Sequence, residues 1–247
     1  MKENSRRFLG IFWVLALILI LVNPALSRTI RFSGYDWNVR LKGKGLPGPN
    51  YWSESPENVL VDGNGWLHLK ITYNIEKKRW ECSEVYSRDR TQYGKHLFYI
   101  ISRLDSLDQN VVASVFAYKD TLNEIDIEWT RWGQPNPGYN AQYVVQPWSR
   151  TGNLERFLTV LSGTYTAHYF DWQADHILFK SIHGHHEEPS HQWELIYEWL
   201  YEGKDIPKDK DSLRVHINLY LDRGNPPSDG KEVEIIIKSA DLPLIKQ

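Results

Sequence analysis

A nine-residue run, Leu213 to Leu221, alternates almost without fault between aliphatic and polar side chains. Its odd positions are Leu, Val, Ile, Leu and Leu, while Arg214, His216, Asn218 and Tyr220 share the other face. That period of two is the period of a β-strand with one buried face, and it excludes a helix over the same residues. Comparable β-rich runs recur along the chain. Asn58 to Val61 and Trp66 to Thr72 flank Asp62-Gly63-Asn64-Gly65, a hairpin signal. Leu97 to Leu104 and Val111 to Tyr118 follow, separated by a polar turn, and Val233 to Ile237 closes the series. Turn residues punctuate the chain at Gln134 to Gly138, Arg150 to Asn153, His183 to Ser190 and Gly224 to Gly230. Only Glu194 to Tyr201 reads equally as helix or strand. Many short strands at such spacing predict an all-β, two-sheet β-jelly roll sandwich. No linker or repeat divides it, so one domain runs from residue 28 to 247.

The first 27 residues stand apart. Lys2, Arg6 and Arg7 precede an apolar run from Phe8 to Val22, and Ala25-Leu26-Ser27 supplies small residues before Arg28. This is the layout of a cleaved signal peptide; an uncleaved N-terminal anchor is the alternative, and would be the domain's sole tie to a membrane. Either places the domain outside the cytoplasm, secreted or in the cell envelope. Residues 28–247 then carry 26 basic and 30 acidic side chains. With no basic stripe, nucleic acid is not an expected partner. Cys82 is the single cysteine, so no intrachain disulfide can form, and we expect it buried and inert. We expect a monomer.

The chemistry is concentrated in Glu124-Ile125-Asp126-Ile127-Glu128. On a strand, three carboxyl groups line one face and two isoleucines the other. A row of carboxylates repels itself, and the repulsion has a use where one acid must hold a proton while its neighbour stays ionised. Hydrolysis of a glycosidic bond needs that division. The Cα atoms of Glu124 and Glu128 would lie roughly 13 Å apart on an extended strand, and inward-leaning side chains shorten the gap toward the carboxyl separation of about 5–5.5 Å of a retaining enzyme. An ordinary solvated strand face would show the same alternation. If the strand continues, Thr130 and Trp132 join the acidic face and Trp129 the core.

The segment matches the E-x-D-x-E signature of glycoside hydrolase family 16, in the form without a bulge residue. Tyr86-Ser87 with Tyr93-Gly94-Lys95, Tyr169-Phe170-Asp171-Trp172 with Ile177, and Asn218-Leu219-Tyr220-Leu221 with Gly224 resemble further family segments in the right order. The resemblance covers most of residues 80–240. It implies a concanavalin A-like jelly roll with its cleft on a concave sheet and a retaining mechanism. Glu124 would be the nucleophile, Glu128 the general acid/base and Asp126 the assisting carboxylate. A lichenase-type Trp two residues before the first Glu is replaced by Leu122, and His183 to Lys210 matches no family pattern.

Strand parity supplies binding candidates. Asn140 to Trp148 is expected to pair beside the acidic strand, so that Gln142 and Gln146 reach hydroxyl groups and Trp148 stacks on a sugar ring. Trp132 would stand beside the acids. Asn218 shares a polar face with His216, which points either to the cleft or to solvent, and His168 is equally open. The stretch His183-Gly184-His185-His186-Glu187-Glu188 with His191 has metal-ligand chemistry but loop spacing, and no metal is assigned. No cofactor is assigned either; related enzymes carry a structural calcium, for which no residue here specifies the ligands. The expected function is an exported, endo-acting glycoside hydrolase on β-linked glucan or galactan, with transglycosylation open to the same site. The alternative is a non-catalytic, lectin-like carbohydrate-binding protein on the same fold.

Overall fold

The computed structural model describes residues 27–245. The leader expected over residues 1–27 therefore lies outside the described residues, apart from Ser27. Two large antiparallel sheets face each other. In the first, the strands run in the order Thr29–Phe32, Tyr35–Val39, Ser83–Ser87, Arg214–Leu221, Val111–Asp120, Asn123–Trp129, Ala141–Val145 and Leu154–Phe157. The second runs Leu195–Tyr201, Ile177–His183, Tyr165–Trp172, Gly94–Ile101, Val233–Asp241, Leu67–Asn74 and Val59–Val61. The described residues contain four short 3-10 turns and no α-helix. This is the all-β jelly roll expected from the alternation.

Neighbours in the chain are often not neighbours in a sheet. The β-rich runs Leu97 to Leu104 and Val111 to Tyr118 fall in the strands Gly94–Ile101 and Val111–Asp120, which belong to opposite sheets, joined through the 3-10 turn Leu104–Ser106. By contrast, Val59–Val61 and Leu67–Asn74 do form the hairpin around Asp62 to Trp66, whose turn is closed by the Asp62 carboxylate accepting from the Asn64 and Trp66 amides. The ambiguous stretch after Glu194 is a strand, Leu195–Tyr201, preceded by a single 3-10 turn at Gln192–Glu194.

Parity decides the core. Val215, Ile217 and Leu219 are buried, as are Ile125, Ile127 and Trp129 from the acidic strand. They meet Phe170, Trp172 and Phe179 of the second sheet in one continuous apolar layer. Burying a large aliphatic or aromatic side chain contributes about 1.5–3 kcal/mol each, so this layer sets the register of both sheets. His168 lies in that layer, not in the cleft. It packs edge-on against Trp129, with ring centroids 4.6 Å apart, and bonds Ser181 and Thr166 at 2.7 and 2.8 Å. The Tyr143 hydroxyl donates to the same Ser181 at 2.6 Å. Burial depresses the His168 pKa to about 3, so the ring is neutral within a satisfied polar chain. Cys82 is buried too, and burial pushes its thiol up to about 12.

The histidine-rich loop crosses the outer face of the second sheet. Leu97, Ala167, Tyr169 and Ile182 form a small apolar cluster there. Glu188 accepts from Tyr169 at 2.9 Å and Lys180 at 2.7 Å, Glu187 pairs with Lys95 at 3.2 Å, and His185 bonds the Ile100 carbonyl oxygen at 3.0 Å. The loop is thus a cover held by ion pairs on the side of the sandwich opposite the acidic row.

Candidate active site

The acidic row stands on the face of the first sheet that looks away from the core. Each acid has a fixed pair of cross-strand neighbours. Glu128 lies between Ser114 and Gln142, Asp126 between Phe116 and Val144, and Glu124 opposite Tyr118. On its other side Glu124 is tied through the backbone, its carbonyl oxygen accepting from the Gln146 amide at 3.1 Å. An outward-facing carboxylate on an open sheet would be well hydrated. Asp126 is instead only 4% exposed, sheltered between Glu124, Glu128 and the neighbouring strands.

The three carboxyl groups differ in their partners. Glu128 accepts from the Gln142 amide at 2.7 Å through Oε2 and lies 3.4 Å from the Ser114 hydroxyl through Oε1. Asp126 has a 3.4 Å contact from the Gln146 amide. Burial raises the pKa of all three. Glu124 is pushed up to about 8, by burial and then by the Glu128 charge, while a hydrogen bond from Asp126 works in the opposite direction. The same hydrogen bond raises Asp126, which burial and the two glutamates already hold well above the carboxylate range. Glu128 is raised by burial alone, against the pull of Gln142, Ser114 and Arg156. The row therefore holds protons at neutral pH, and Asp126 shares one with Glu124. That is the chemistry of unlike protonation states on adjacent acids.

Gln142 is the hub of the row. Its Oε1 accepts from Trp132 Nε1 at 3.0 Å and Arg156 Nε at 3.2 Å, leaving its amide nitrogen for Glu128. The acidic strand ends at Trp129, so Trp132 does not reach the site by strand parity. It does so through a turn in which Trp132 itself has φ of 49°, a conformation rare for a bulky residue, followed by Gly133 at 73°. The Trp132 amide donates to Thr130 Oγ1 at 3.0 Å and holds that turn.

Gln146 and Trp148 continue from the strand beside the acids. Trp148 is 61% exposed at the Glu124 end of the row, and its amide donates to Gln146 Oε1 at 2.9 Å. Asn218 is buried on the site face, opposite Ser114 and Glu84, and its Oδ1 has no hydrogen-bond partner among the described residues. The structure thus gathers Glu124, Asp126, Glu128, Gln142 and Asn218 on one face of one sheet, with Trp132 bonded to Gln142 and Gln146 reaching Asp126, while the Trp148 side chain stays exposed just beyond.

It also answers where His216 points, and adds Phe116, which the pattern reading did not single out. Phe116, His216 and Tyr86 stack in sequence across three strands, with centroids 4.9 and 5.5 Å apart. They form an aromatic floor beside Asp126. Their parity was legible, since Phe116 alternates with Val115 and Ala117. What was not legible is which strands lie next to each other. Glu84 pairs with His216 at 3.0 Å and Arg40 at 2.6 Å; burial would raise it, but the hydrogen bonds and charges of these two partners outweigh burial and lower it. A cavity of about 340 Å³ opens over this part of the sheet, lined among others by Tyr86, Tyr118, Arg214 and His216. A larger hollow, about 560 Å³ around Tyr93, Ile206 and Lys208, is remote from the acids.

No protein-family model and no curated protein matches the chain. Solved structures do. A prokaryotic β-1,3-1,4-glucanase (lichenase) derived from a mouse hindgut metagenome superposes with a TM-score of 0.62 at 20% identity, covering 89% of this chain and 100% of its own. The Bacillus licheniformis β-glucanase gives 0.61 at 17% identity, covering 88% and 98%. A Mycobacterium tuberculosis protein described as an immunostimulatory antigen and pseudo β-1,3-glucanase gives 0.55 at 20% identity, covering 85% and 91%. These likenesses establish the fold as the jelly roll of lichenases and related glycoside hydrolases.

Proposed function

We propose that the chain is an endo-acting, retaining glycoside hydrolase that cleaves β-linked polysaccharide. The observation that carries the reading is the row Glu124, Asp126 and Glu128: three outward-facing acids, sheltered, proton-sharing and individually supported, on the face of the sheet beside an aromatic floor. A sugar-binding surface needs hydroxyl-directed donors and a stacking plane; it has no use for a row of acids that raises its own pKa values at a cost in stability. One structural neighbour is described as a pseudo-glucanase, so the assignment rests on these acids rather than on the fold.

In the mechanism, ionised Glu124 attacks the anomeric carbon while Glu128 protonates the departing glycosidic oxygen. A glycosyl–enzyme ester forms at Glu124. Glu128, now a carboxylate, takes a proton from water, which attacks the same carbon and releases the sugar with net retention. An acceptor sugar replacing that water would give transglycosylation. Asp126 holds its proton toward Glu124 and steadies the Glu124 carboxylate as it re-forms when the ester is cleaved. Gln142 orients Glu128, and Trp132 and Trp148 offer apolar faces to the rings on either side. The protein works outside the cytoplasm, as a monomer and without a cofactor.

Release of reducing sugar from a panel of β-glucans and β-galactans tests the reading, with product anomers followed by NMR. We expect turnover on at least one polymer, retention at the anomeric centre, and loss of turnover in Glu124→Gln and Glu128→Gln. Binding without release in the parent protein would favour the lectin-like alternative.

A further inference from the structure

Two arginines, Arg90 and Arg214, line the cavity over Tyr118, the cross-strand neighbour of Glu124. Arg214 occupies the same cross-strand row as Glu124, two strands away, through Tyr118. Strand spacing puts its Cα roughly 10 Å from that of Glu124. One guanidinium nitrogen of Arg214 donates to the Ser87 carbonyl oxygen at 2.9 Å and to that of Arg88. Arg90, in the same cavity, donates one nitrogen to the Ser212 carbonyl oxygen at 2.6 Å. Neither forms an ion pair with a carboxylate among the described residues. The nearby cation Arg40 differs, because Glu84 and the Trp52 ring engage it.

Two half-buried guanidiniums side by side repel each other. Burial, then the Arg90 charge, hold Arg214 below its ordinary pKa, with Tyr86 and Asp89 offsetting part of the effect. Each guanidinium has N–H donors beyond those bound to backbone carbonyl oxygens, and both side chains line the cavity. Planar forks of this kind match the oxygens of a sulfate ester or carboxylate. The row of acids sets the complementary limit: an anionic group near Glu124 and Glu128 would be repelled, so charge is tolerated only on a sugar displaced from the bond being cut. A neutral glucan would leave the Arg90–Arg214 pair uncompensated.

We infer that the polysaccharide is anionic, and that Arg90 and Arg214 clamp a sulfate or carboxylate substituent on a sugar displaced from Glu124 across the sheet. The inference rests on the hydrolase reading for its choice of ligand, and its test does not depend on turnover.

The test measures binding by titration calorimetry to Glu124→Gln, which keeps the polymer intact. The probes are matched sets: a β-1,3-glucan, a β-1,3-1,4-glucan and a β-galactan, each neutral, chemically sulfated, and oxidised to the carboxylate at C6. For at least one backbone, an anionic form should bind at least tenfold more tightly than the neutral one. Adding Arg90→Gln and Arg214→Gln should close that gap, while adding Lys78→Ala and Lys238→Ala, exposed lysines away from the cleft, should leave it open. Sulfate and carboxylate arms distinguish the two sources of charge, and either satisfies the inference. Arg214 also holds two backbone carbonyls, so Arg90→Gln alone provides a second variant, expected to narrow the gap by at least threefold. No gap on any backbone, a gap that survives the double arginine variant, or equal loss in the lysine control would overturn it. If the parent protein releases no sugar yet the arginine-dependent gap is present, the hydrolase reading fails and the anion site stands.

Discussion

Replacing Glu124 by Gln should abolish turnover and at the same time stabilise the fold, and the second effect depends on pH in a way that the structure dictates. The Glu124 carboxyl is raised from 4.5 to about 8, by burial and by Glu128. A carboxyl whose folded pKa is raised favours the native state while it is protonated in both states. Its contribution is fully present below pH 4.5 and is lost as pH climbs through about 8, because the unfolded chain ionises first. Each pH unit in that window is worth about 1.4 kcal/mol, which puts the ceiling near 5 kcal/mol. Asp126 and Glu128 take up part of the proton sharing, so the expected gain of Glu124→Gln at pH 8 is on the order of 2–3 kcal/mol. At pH 4.5 parent and variant should unfold alike. For a domain of this size the gain corresponds to a rise in Tm of roughly 4–12 °C at pH 8. Paired thermal and urea unfolding at the two pH values measures it. A variant no more stable than the parent at pH 8, with its fold intact, would show that the row is not under electrostatic load, and the argument for unlike protonation states would fall with it.

Four further outcomes are expected. Glu128→Gln should lower kcat by 10²–10⁴-fold, as is usual for loss of a general acid, with the circular dichroism spectrum unchanged. In the parent, the acidic limb of the kcat/KM profile should titrate well above 4.5, toward about 8, because attack requires ionised Glu124. Gln142→Ala removes a donor that favours ionised Glu128; the Glu128 pKa then rises further and the alkaline limb of that profile should move to higher pH. Tyr143→Phe leaves Ser181 without its buried donor and should cost about 1–2 kcal/mol in urea unfolding, with kcat unaffected.

Much of this site was legible because strand parity is a local rule. Once Asn123–Trp129 is a strand, its acids must share a face, and the same rule sends Gln142 and Asn218 to it. Trp132 reaches the acids although the strand stops short of it, because the backbone turns there into the left-handed region. What local rules could not supply is the order of strands across the sheet. The aromatic floor joins Phe116, His216 and Tyr86 across three strands, with a hundred residues of chain between the first two. The pairing of Arg214 with Tyr118, and so its distance from Glu124, has the same origin. His168 shows the converse limit. A histidine on an alternating strand looks like a site residue, but its face is assigned by which sheet it joins, and Tyr165–Trp172 lies in the sheet away from the acids.

Saturation of the Gln142 carbonyl by Trp132 and Arg156 has a consequence for how protons travel. With both lone-pair directions of Oε1 occupied, the side-chain amide cannot rotate end over end, and its nitrogen is committed to Glu128 Oε2 in every phase of a catalytic cycle. Glu128 Oε1, with only the 3.4 Å contact to Ser114, is the less engaged of the two carboxyl oxygens. Its neighbour there, Ser114, carries a hydroxyl that can swivel from donor to acceptor as the acid changes state. One oxygen is anchored and the other only loosely attended, so the sheet itself makes the two oxygens of the proposed acid unequal.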